Sequence, residues 1–145
     1  MKNRYEGECA ALFEKAARTS RDLKFARDFT VTCENGMYIA DPFESLSFAA
    51  TLPREKTPDF AYGFHLSLSR VIEKIVRILS EETGISTVLL SGGVFQNRLL
   101  SGLTVTRLEK AGLTPLQNLA CPPNDNGLCL GQSYLAAEKC IIYNL

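Results

Sequence analysis

The longest stretch of regular hydrophobic spacing lies between residues 64 and 83. Its apolar side chains recur at steps of three and four residues, the period of one face of an α-helix. They are Phe64, Leu68, Val71, Ile72, Ile75 and Leu79. Gly84 follows where glycine commonly ends a helix. The pattern predicts a helix over residues 64–83, the most clearly marked element of the chain.

Two further elements are predicted ahead of this helix. Residues 7–18, GECAALFEKAAR, carry alanine, leucine and phenylalanine at near-helical spacing, which predicts an amphipathic helix. The runs FTVTC (29–33) and MYIAD (37–41) are rich in β-branched and aromatic residues. Because Glu-Asn-Gly at 34–36 is a turn signal, these runs predict a β-hairpin.

Strands and helices alternate after Gly84. TVLLS (87–91) predicts a buried strand, 95–111 a helix, LTPLQ (113–117) a weaker strand and 127–140 a last helix. A right-handed crossover would make the two strands parallel neighbours. The full order, helix, hairpin, helices, strand, helix, strand, helix, predicts an α/β fold with a mixed sheet flanked by helices.

Composition narrows the class of protein. A length of 145 residues with 46% hydrophobic residues suits one compact domain, since the exposed breaks at 51–59 and 118–127 are too short to be domain linkers. Sixteen basic and 16 acidic residues give no net charge, so we expect no nucleic-acid partner. Without a signal peptide or a long uncharged apolar run, we expect no membrane span and a cytoplasmic protein.

The five cysteines suggest neither a disulfide framework nor a zinc site, because their number is odd and no two form a CxxC pair. Free cysteine is among the most buried residue types, so each is expected to act as a small buried hydrophobe. Cys121 is the exception, since it adjoins two prolines.

The segment LLSGGVFQNRLL (89–100) raises the first question of chemistry. Gly92 and Gly93 would let a ligand approach the backbone, and free N–H groups at the following helix start would attract a phosphate. The same spacing also suits a tight strand-to-helix turn. Asn97, on the first turn of that helix, either caps it or donates to a sugar or base.

A second loop, CPPNDNG (121–127), follows the other strand. Its prolines stiffen it, and Asp125 is either the N-cap of the last helix or a ligand for a divalent metal. Because the carboxyl ends of parallel strands share an edge, we expect Gly92 and Asp125 on the same edge of the sheet.

The remaining polar candidates complete no catalytic set. Glu6 and Glu8 flank Gly7 ahead of the first helix, where acidic residues complement the helix dipole. His65 is the single histidine and lies inside a helical pattern, so we expect it to be packed or at the surface rather than catalytic.

Four stretches taken together resemble one family. They are YEGECA (5–10), GFH (63–65), LSGGVFQNRLL (90–100) and PPNDNGLCLGQ (122–132). In this order they resemble the carboxyl-terminal part of the HypF family, the carbamoyltransferases that mature nickel–iron hydrogenases. The fold is shared with threonylcarbamoyl transferases, sugar kinases, chaperone ATPases and actin. The resemblance therefore implies a single lobe of an actin-like fold.

The resemblance also implies a bound adenine nucleotide, ATP or carbamoyl-adenylate. Gly92 and Gly93 would face its phosphates, and Asn97 its adenosine. The full set of implied nucleotide-binding residues is Glu6, Gly7, Gly92, Gly93 and Asn97. Asp125 would ligate a divalent ion, zinc, iron or magnesium, in the complete enzyme. The family moves the carbamoyl group to a cysteine of a partner maturation protein.

Two departures from the family pattern qualify this picture. Asn126 stands where the usual loop PPNDGG has glycine, and asparagine tolerates left-handed backbone. The family's first lobe, with its histidine pair, and the modules that make carbamoyl-adenylate have no counterpart here. We expect a lobe that is inactive alone, as a split piece of a larger enzyme, with an apolar docking face that would also permit self-association. The alternative is a non-enzymatic nucleotide-binding or interaction module.

Overall fold

The computed structural model describes residues 4–143. Its helices are α1 (Glu8–Ala17), α2 (Phe43–Thr51), α3 (Thr57–Thr83), α4 (Arg98–Lys110) and α5 (Leu128–Tyr143). Its strands are β1 (Thr30–Glu34), β2 (Met37–Asp41), β3 (Thr87–Leu90) and β4 (Thr114–Gln117). The predicted order of elements is therefore present, and α2 is a helix for which the hydrophobic pattern gave no bounds.

Helix α3 is the central element of the fold. It ends at Gly84, which has the expected left-handed conformation with a φ of 73°. Its start, however, lies earlier than predicted, because Pro58 occupies the first turn. Proline is favourable there, since the first N–H groups of a helix have no acceptor within the helix. Part of the predicted loop at 51–59 is consequently helical.

Helices α1 and α4 pack against α3. One apolar cluster joins Ala17, Ala61 and Tyr62, and Phe13 packs against it from α1. A second cluster of Leu90, Leu108 and Leu113 joins β3, α4 and the residue that precedes β4. Burial of such side chains, at about 25 cal/mol per Å² of apolar surface, is the main force holding these elements together.

The strands form two separate sheets rather than the predicted single mixed sheet. Strands β1 and β2 are antiparallel, as predicted, with Asn35 and Gly36 both at positive φ in the turn. This is the conformation that two-residue hairpin turns require. Strands β3 and β4 are parallel, as predicted, with Val88 opposite Pro115. The α/β class thus holds, but spacing along a chain does not say which strands become neighbours.

Several apolar and sulfur-containing side chains are exposed. The prediction of buried cysteines is wrong for Cys9, Cys33 and Cys129, while Cys121 is half-buried. Cys33 lies in the hairpin, where most positions are exposed, and Cys129 lies on α5, whose positions 128–138 are all exposed. The side chain of Cys140 lies outside the described residues.

Large apolar side chains are exposed on the strands and on α5, and the expected docking face stays a prediction. Leu89 and Leu116 point away from the core on β3 and β4, with 65% and 49% of their surface exposed. Further exposed apolar residues lie on α5, namely Leu128, Leu130, Tyr134 and Leu135. Within residues 4–143, no helix is both long enough and apolar enough to cross a membrane.

Candidate functional site

Two loops meet at the carboxyl ends of the parallel strands. We call residues 91–97, after β3, the glycine loop and residues 121–127, after β4, the PPND loop. The N–H of Gly92 donates a hydrogen bond of 2.8 Å to the carbonyl oxygen of Pro123. Gly92 has a φ of 93°, a conformation that side-chain-bearing residues rarely adopt. This bond places the two loops on one edge, as expected from the parallel strands.

The PPND loop is tightly folded. The N–H of Gly127 donates to the carbonyl of Asn124 at 2.9 Å. A Cβ atom at Gly127 would lie only 2.6 Å from the carbonyl oxygen of Pro122, so a larger residue does not fit there without movement. The backbone of Asp125–Gly127 forms one short turn that leads into α5.

Asp125 does not cap this turn. The N-cap residue of the turn is Asn124, with no side-chain capping bond, and α5 begins only at Leu128, three residues beyond Asp125. The carboxylate of Asp125 is therefore not committed to the helix-capping role that the sequence had left open, and the residue is exposed. Asn126 also differs from expectation, because among the described non-glycine residues only Asn35 has a positive φ. Asn126 fits because the turn needs no left-handed residue.

Side chains of this chain accept from two N–H groups at the start of α4. The side-chain oxygen of Asn97 accepts from the N–H of Leu100 at 2.9 Å, so Asn97 is the N-cap. A carboxylate oxygen of Glu14, from α1, accepts from the N–H of Leu99 at 3.2 Å. Two N–H groups at the start of α4 are thus already paired within the chain, and the expectation that this region attracts a phosphate stays a prediction.

The backbone between Gly92 and α4 offers another donor pair. Residues Gly93–Gln96 form a short turn of their own. The first N–H groups of such a turn, those of Gly93 and Val94, have no acceptor within it. An anion approaching the glycine loop could meet these two groups.

Asn97 is held from its other side by His65. The side-chain nitrogen of Asn97 lies 2.7 Å from Nε2 of His65, whose Nδ1 lies 2.7 Å from the carbonyl oxygen of Ala61. The imidazole is 3% exposed and stacks on Phe13 with ring centroids 5.5 Å apart. His65 is thus packed, as predicted. Helical spacing could have suggested the contact with Ala61, but nothing in the sequence indicates the contact with Asn97.

Two neighbouring grooves flank the glycine loop. The Gly7 groove, of about 250 Å³, lies between α1 and the glycine loop and is lined by Gly7, Ala10, Ala11, Glu14, Gly93, Val94, Gln96 and Asn97. The Asp125 groove, of about 460 Å³, is lined by Gly92 and Asp125 among others. Of the implied nucleotide-binding residues, Gly7, Gly93 and Asn97 therefore share one groove, and Gly92 lies in the next. Glu6 is exposed and lines neither.

The residue after Gly7 has a structural role. Glu8 is buried and accepts hydrogen bonds from the backbone N–H of Arg4 at 2.7 Å and from its side-chain Nε at 2.8 Å. These bonds hold the pKa of the Glu8 carboxyl below its usual range. The carboxylate also lies in the first turn of α1, where the helix dipole favours negative charge. Glu8 thus anchors the segment that carries Glu6 and Gly7.

The described residues fit only part of a metal site. Among residues 4–143, no three His, Cys, Asp or Glu side chains lie close enough together to hold an ion. Next to Asp125, the side-chain oxygen of Asn124 is buried and has no hydrogen-bond partner among the described residues. Carboxylate and amide oxygens suit a hard divalent cation. This edge can supply one or two oxygen ligands, and any further ligands must come from elsewhere.

Comparison with known proteins gives these loops a family. The family described as "Carbamoyltransferase, Kae1-like Domain, second subdomain" matches residues 1–132. Carbamoyltransferase HypF of Synechocystis is 44% identical over 82 residues, which cover 57% of this chain and 10% of that protein. Carbamoyltransferase HypF of Rhodobacter capsulatus is 32% identical over 139 residues, which cover 96% of this chain and 17% of that protein.

Solved structures agree in fold. Full-length HypF in a phosphate- and nucleotide-bound form superposes with a TM-score of 0.78 and 26% identity, covering 96% of this chain and 18% of that one. HypF of T. kodakarensis gives a TM-score of 0.73 and 28% identity, covering 93% and 17%. This chain therefore spans less than a fifth of the length of these relatives, and the expected fold class is confirmed. The chain belongs to the HypF carbamoyltransferase family and matches the second subdomain of its Kae1-like domain.

Proposed function

We propose that this subdomain supplies one wall of the adenine-nucleotide site of a carbamoyltransferase. The observation that carries the proposal is the hydrogen bond from Gly92 to Pro123, which makes the Gly7 and Asp125 grooves neighbours across one short loop. A nucleotide lying along the glycine loop would have its nucleoside on one side and its phosphates near a carboxylate on the other. The phosphate- and nucleotide-bound state of a structural relative supports this use of the fold.

Different residues would contact different parts of the nucleotide. In the proposal, the N–H groups of Gly93 and Val94 bind a phosphate oxygen, as the first N–H groups of a turn do for anions. Asn97 contacts the adenosine, and Gly7, which has no side chain, lets the sugar approach the end of α1. Glu6 directly precedes Gly7 and would reach the sugar from the rim. The nucleotide would be ATP or carbamoyl-adenylate.

Asp125 is proposed as a metal ligand on the phosphate side. Its carboxylate is exposed, and Asn124 beside it has an unsatisfied oxygen. Zinc, iron or magnesium bound there would supply a Lewis acid beside the phosphates. Since the described residues offer no three-residue set, the other ligands would come from the remainder of the longer protein.

The reaction served by this site would be carbamoyl transfer in hydrogenase maturation. The sulfur of a partner protein's cysteine would bond to the carbamoyl carbon of carbamoyl-adenylate as the bond from that carbon to the phosphate oxygen breaks. AMP would leave, and the thiol proton would be released. Among the described residues, His65 is buried and engaged on both ring nitrogens, so it is not placed to act on that thiol. This chain would orient the nucleotide, and we expect no transfer by it alone.

Titration with AMP tests the proposal. AMP added to the 145-residue chain should shift the amide resonances of Gly7, Gly93, Val94 and Asn97, with weak affinity because only one wall of the site is present. Resonance shifts spread over unrelated surfaces, or none in the glycine loop, would contradict the nucleotide assignment. As a control, the Gly102→Ala variant should respond to AMP as the unchanged chain does, because Gly102 lies on α4 with open space around it.

A second candidate is a nucleotide-binding module without catalysis. In that case the chain would keep the nucleotide-binding residues of the glycine loop and take no part in transfer. The two candidates differ when the rest of a longer HypF protein is supplied in trans. Restored carbamoyl transfer to an acceptor cysteine would support the enzyme, whereas nucleotide binding without transfer would support the module.

A further inference from the structure

We infer that His65 is the positioning residue that fixes the orientation of the Asn97 amide in the Gly7 groove. The inference rests on the proposed function in one respect, since Asn97 is taken to contact a nucleotide. Its structural basis is independent of any ligand. It consists of three hydrogen bonds: one between Asn97 and His65, one between Asn97 and the backbone of Leu100, and one between His65 and the backbone of Ala61.

The hydrogen bonds determine where the protons lie. The carbonyl oxygen of Ala61 can only accept, so Nδ1 of His65 carries a hydrogen and donates to it. The N–H of Leu100 can only donate, so the atom of Asn97 that faces it is the amide oxygen. The amide nitrogen of Asn97 therefore faces His65 and donates to Nε2, which must be unprotonated.

The arrangement permits one orientation of the amide. If Asn97 were flipped, its NH2 group would face the N–H of Leu100, and two donors would oppose each other. If Nε2 of His65 carried a hydrogen, that donor would oppose the NH2 group of Asn97. A neutral His65 with its hydrogen on Nδ1 is the state in which every contact pairs a donor with an acceptor.

The position of His65 makes it rigid enough for this role. Its ring is 3% exposed and lies between Phe13 of α1 and the N-cap of α4. Because α1 also carries Gly7 at its start, the imidazole connects the two walls of the Gly7 groove through α3. A ligand in this groove meets an Asn97 amide whose orientation is already fixed, so binding costs less side-chain entropy.

The proton positions can be measured on the unchanged chain. His65 is the single histidine, so its ring nitrogens give an unambiguous long-range nitrogen–proton NMR spectrum. We expect a protonated Nδ1 and an unprotonated Nε2 at neutral pH. A hydrogen on Nε2, whether in the other neutral form or in the cation, would overturn the inference whatever happens with nucleotides.

Variants test the consequence for binding. His65→Phe keeps a ring against Phe13 but removes both hydrogen bonds, and it should weaken AMP binding about five- to tenfold. His65→Gln can still offer an acceptor to Asn97, so its affinity should lie between those of the unchanged chain and His65→Phe. The side-chain amide resonances of Asn97 should move strongly in His65→Phe and less in His65→Gln.

A control separates positioning from general loosening of the helices. Ser69 lies one turn further along α3, is fully buried, and bonds to the Leu66 carbonyl and to Arg107. Ser69→Ala should lower stability and leave AMP affinity unchanged. The inference fails if folded His65→Phe binds AMP as tightly as the unchanged chain, or if Ser69→Ala weakens binding equally. If AMP does not bind the unchanged chain, the nucleotide proposal fails, and the Asn97 resonances still decide the positioning role.

Discussion

Replacing Gly127 by alanine should displace the PPND loop without changing any residue that is proposed to bind the nucleotide or the metal. The added Cβ would lie 2.6 Å from the carbonyl oxygen of Pro122, whereas ordinary contact begins near 3.4 Å. The backbone of Gly127 is not left-handed, so alanine meets no conformational strain there, and the steric contact alone decides the outcome. The loop or the turn must therefore move by about 0.8 Å.

The size of the effect follows from what that movement breaks. Pro122 is exposed and can yield outwards, but it precedes Pro123, which accepts the hydrogen bond from Gly92. Overpacking costs about 1–3 kcal/mol where the surroundings cannot yield, and a lost hydrogen bond about 0.5–1.5 kcal/mol. Because the loop can yield, we expect about 1–2 kcal/mol in total, which lowers the thermal midpoint by about 2–4 °C per kcal/mol in a chain of this size.

Two measurements on Gly127→Ala test this reasoning. Thermal unfolding reports the loss of stability, and hydrogen exchange of the Gly92 N–H reports the link between the loops. Gly102→Ala is the control, because its Cβ meets nothing within 4 Å and should stabilise α4 by up to about 1 kcal/mol. The reasoning is refuted if Gly127→Ala is as stable as the unchanged chain and the Gly92 N–H exchanges at the same rate.

Three further predictions concern single polar groups. Asp125→Ala should change the free energy of unfolding by less than about 0.5 kcal/mol, because the residue is exposed and is not the N-cap. In a version joined to the rest of a longer HypF protein, the same change should abolish metal retention. Unchanged metal content would contradict the ligand assignment. The Ser20 hydroxyl donates to the Asp59 carboxylate at 2.6 Å and lowers the pKa of that carboxyl. The stabilisation by the ionised carboxylate is therefore present above the usual aspartate pKa and lost as pH falls through the lowered value. The difference in thermal midpoint between the unchanged chain and Asp59→Asn should shrink below about pH 4, and a constant difference would contradict the bond. The hydroxyl of Tyr38 donates to the Glu82 carboxylate, and this hydrogen bond raises the pKa of Tyr38 to about 12. The bond between the hairpin and α3 should therefore persist above the ordinary tyrosine pKa and be lost as pH rises through the raised value. The tyrosinate absorbance of the unchanged chain minus that of Tyr38→Phe should then titrate near pH 12, and a midpoint near the ordinary value would contradict the bond.

The elements of this protein were largely readable from local sequence. The end of α3 at Gly84, the hairpin turn at Asn35 and Gly36, and the parallel pair β3 and β4 all follow from periodicity and turn chemistry. Such signals depend on residues a few positions apart, so they act wherever the segment lies in the fold. The same parallel order predicted that the glycine and PPND loops share one edge.

The working parts of the candidate site depended on tertiary structure. The partner of Asn97 is His65, 32 residues away, and the groups that occupy the start of α4 include Glu14, 85 residues before Leu99. No period or motif relates such distant positions, because their contact exists only when α1, α3 and α4 pack together. The separation of the hairpin from the parallel strands and the exposure of cysteines have the same origin. Sequence determined which segments form helices, strands and turns, whereas packing decided which of the described polar groups are already paired and which are not.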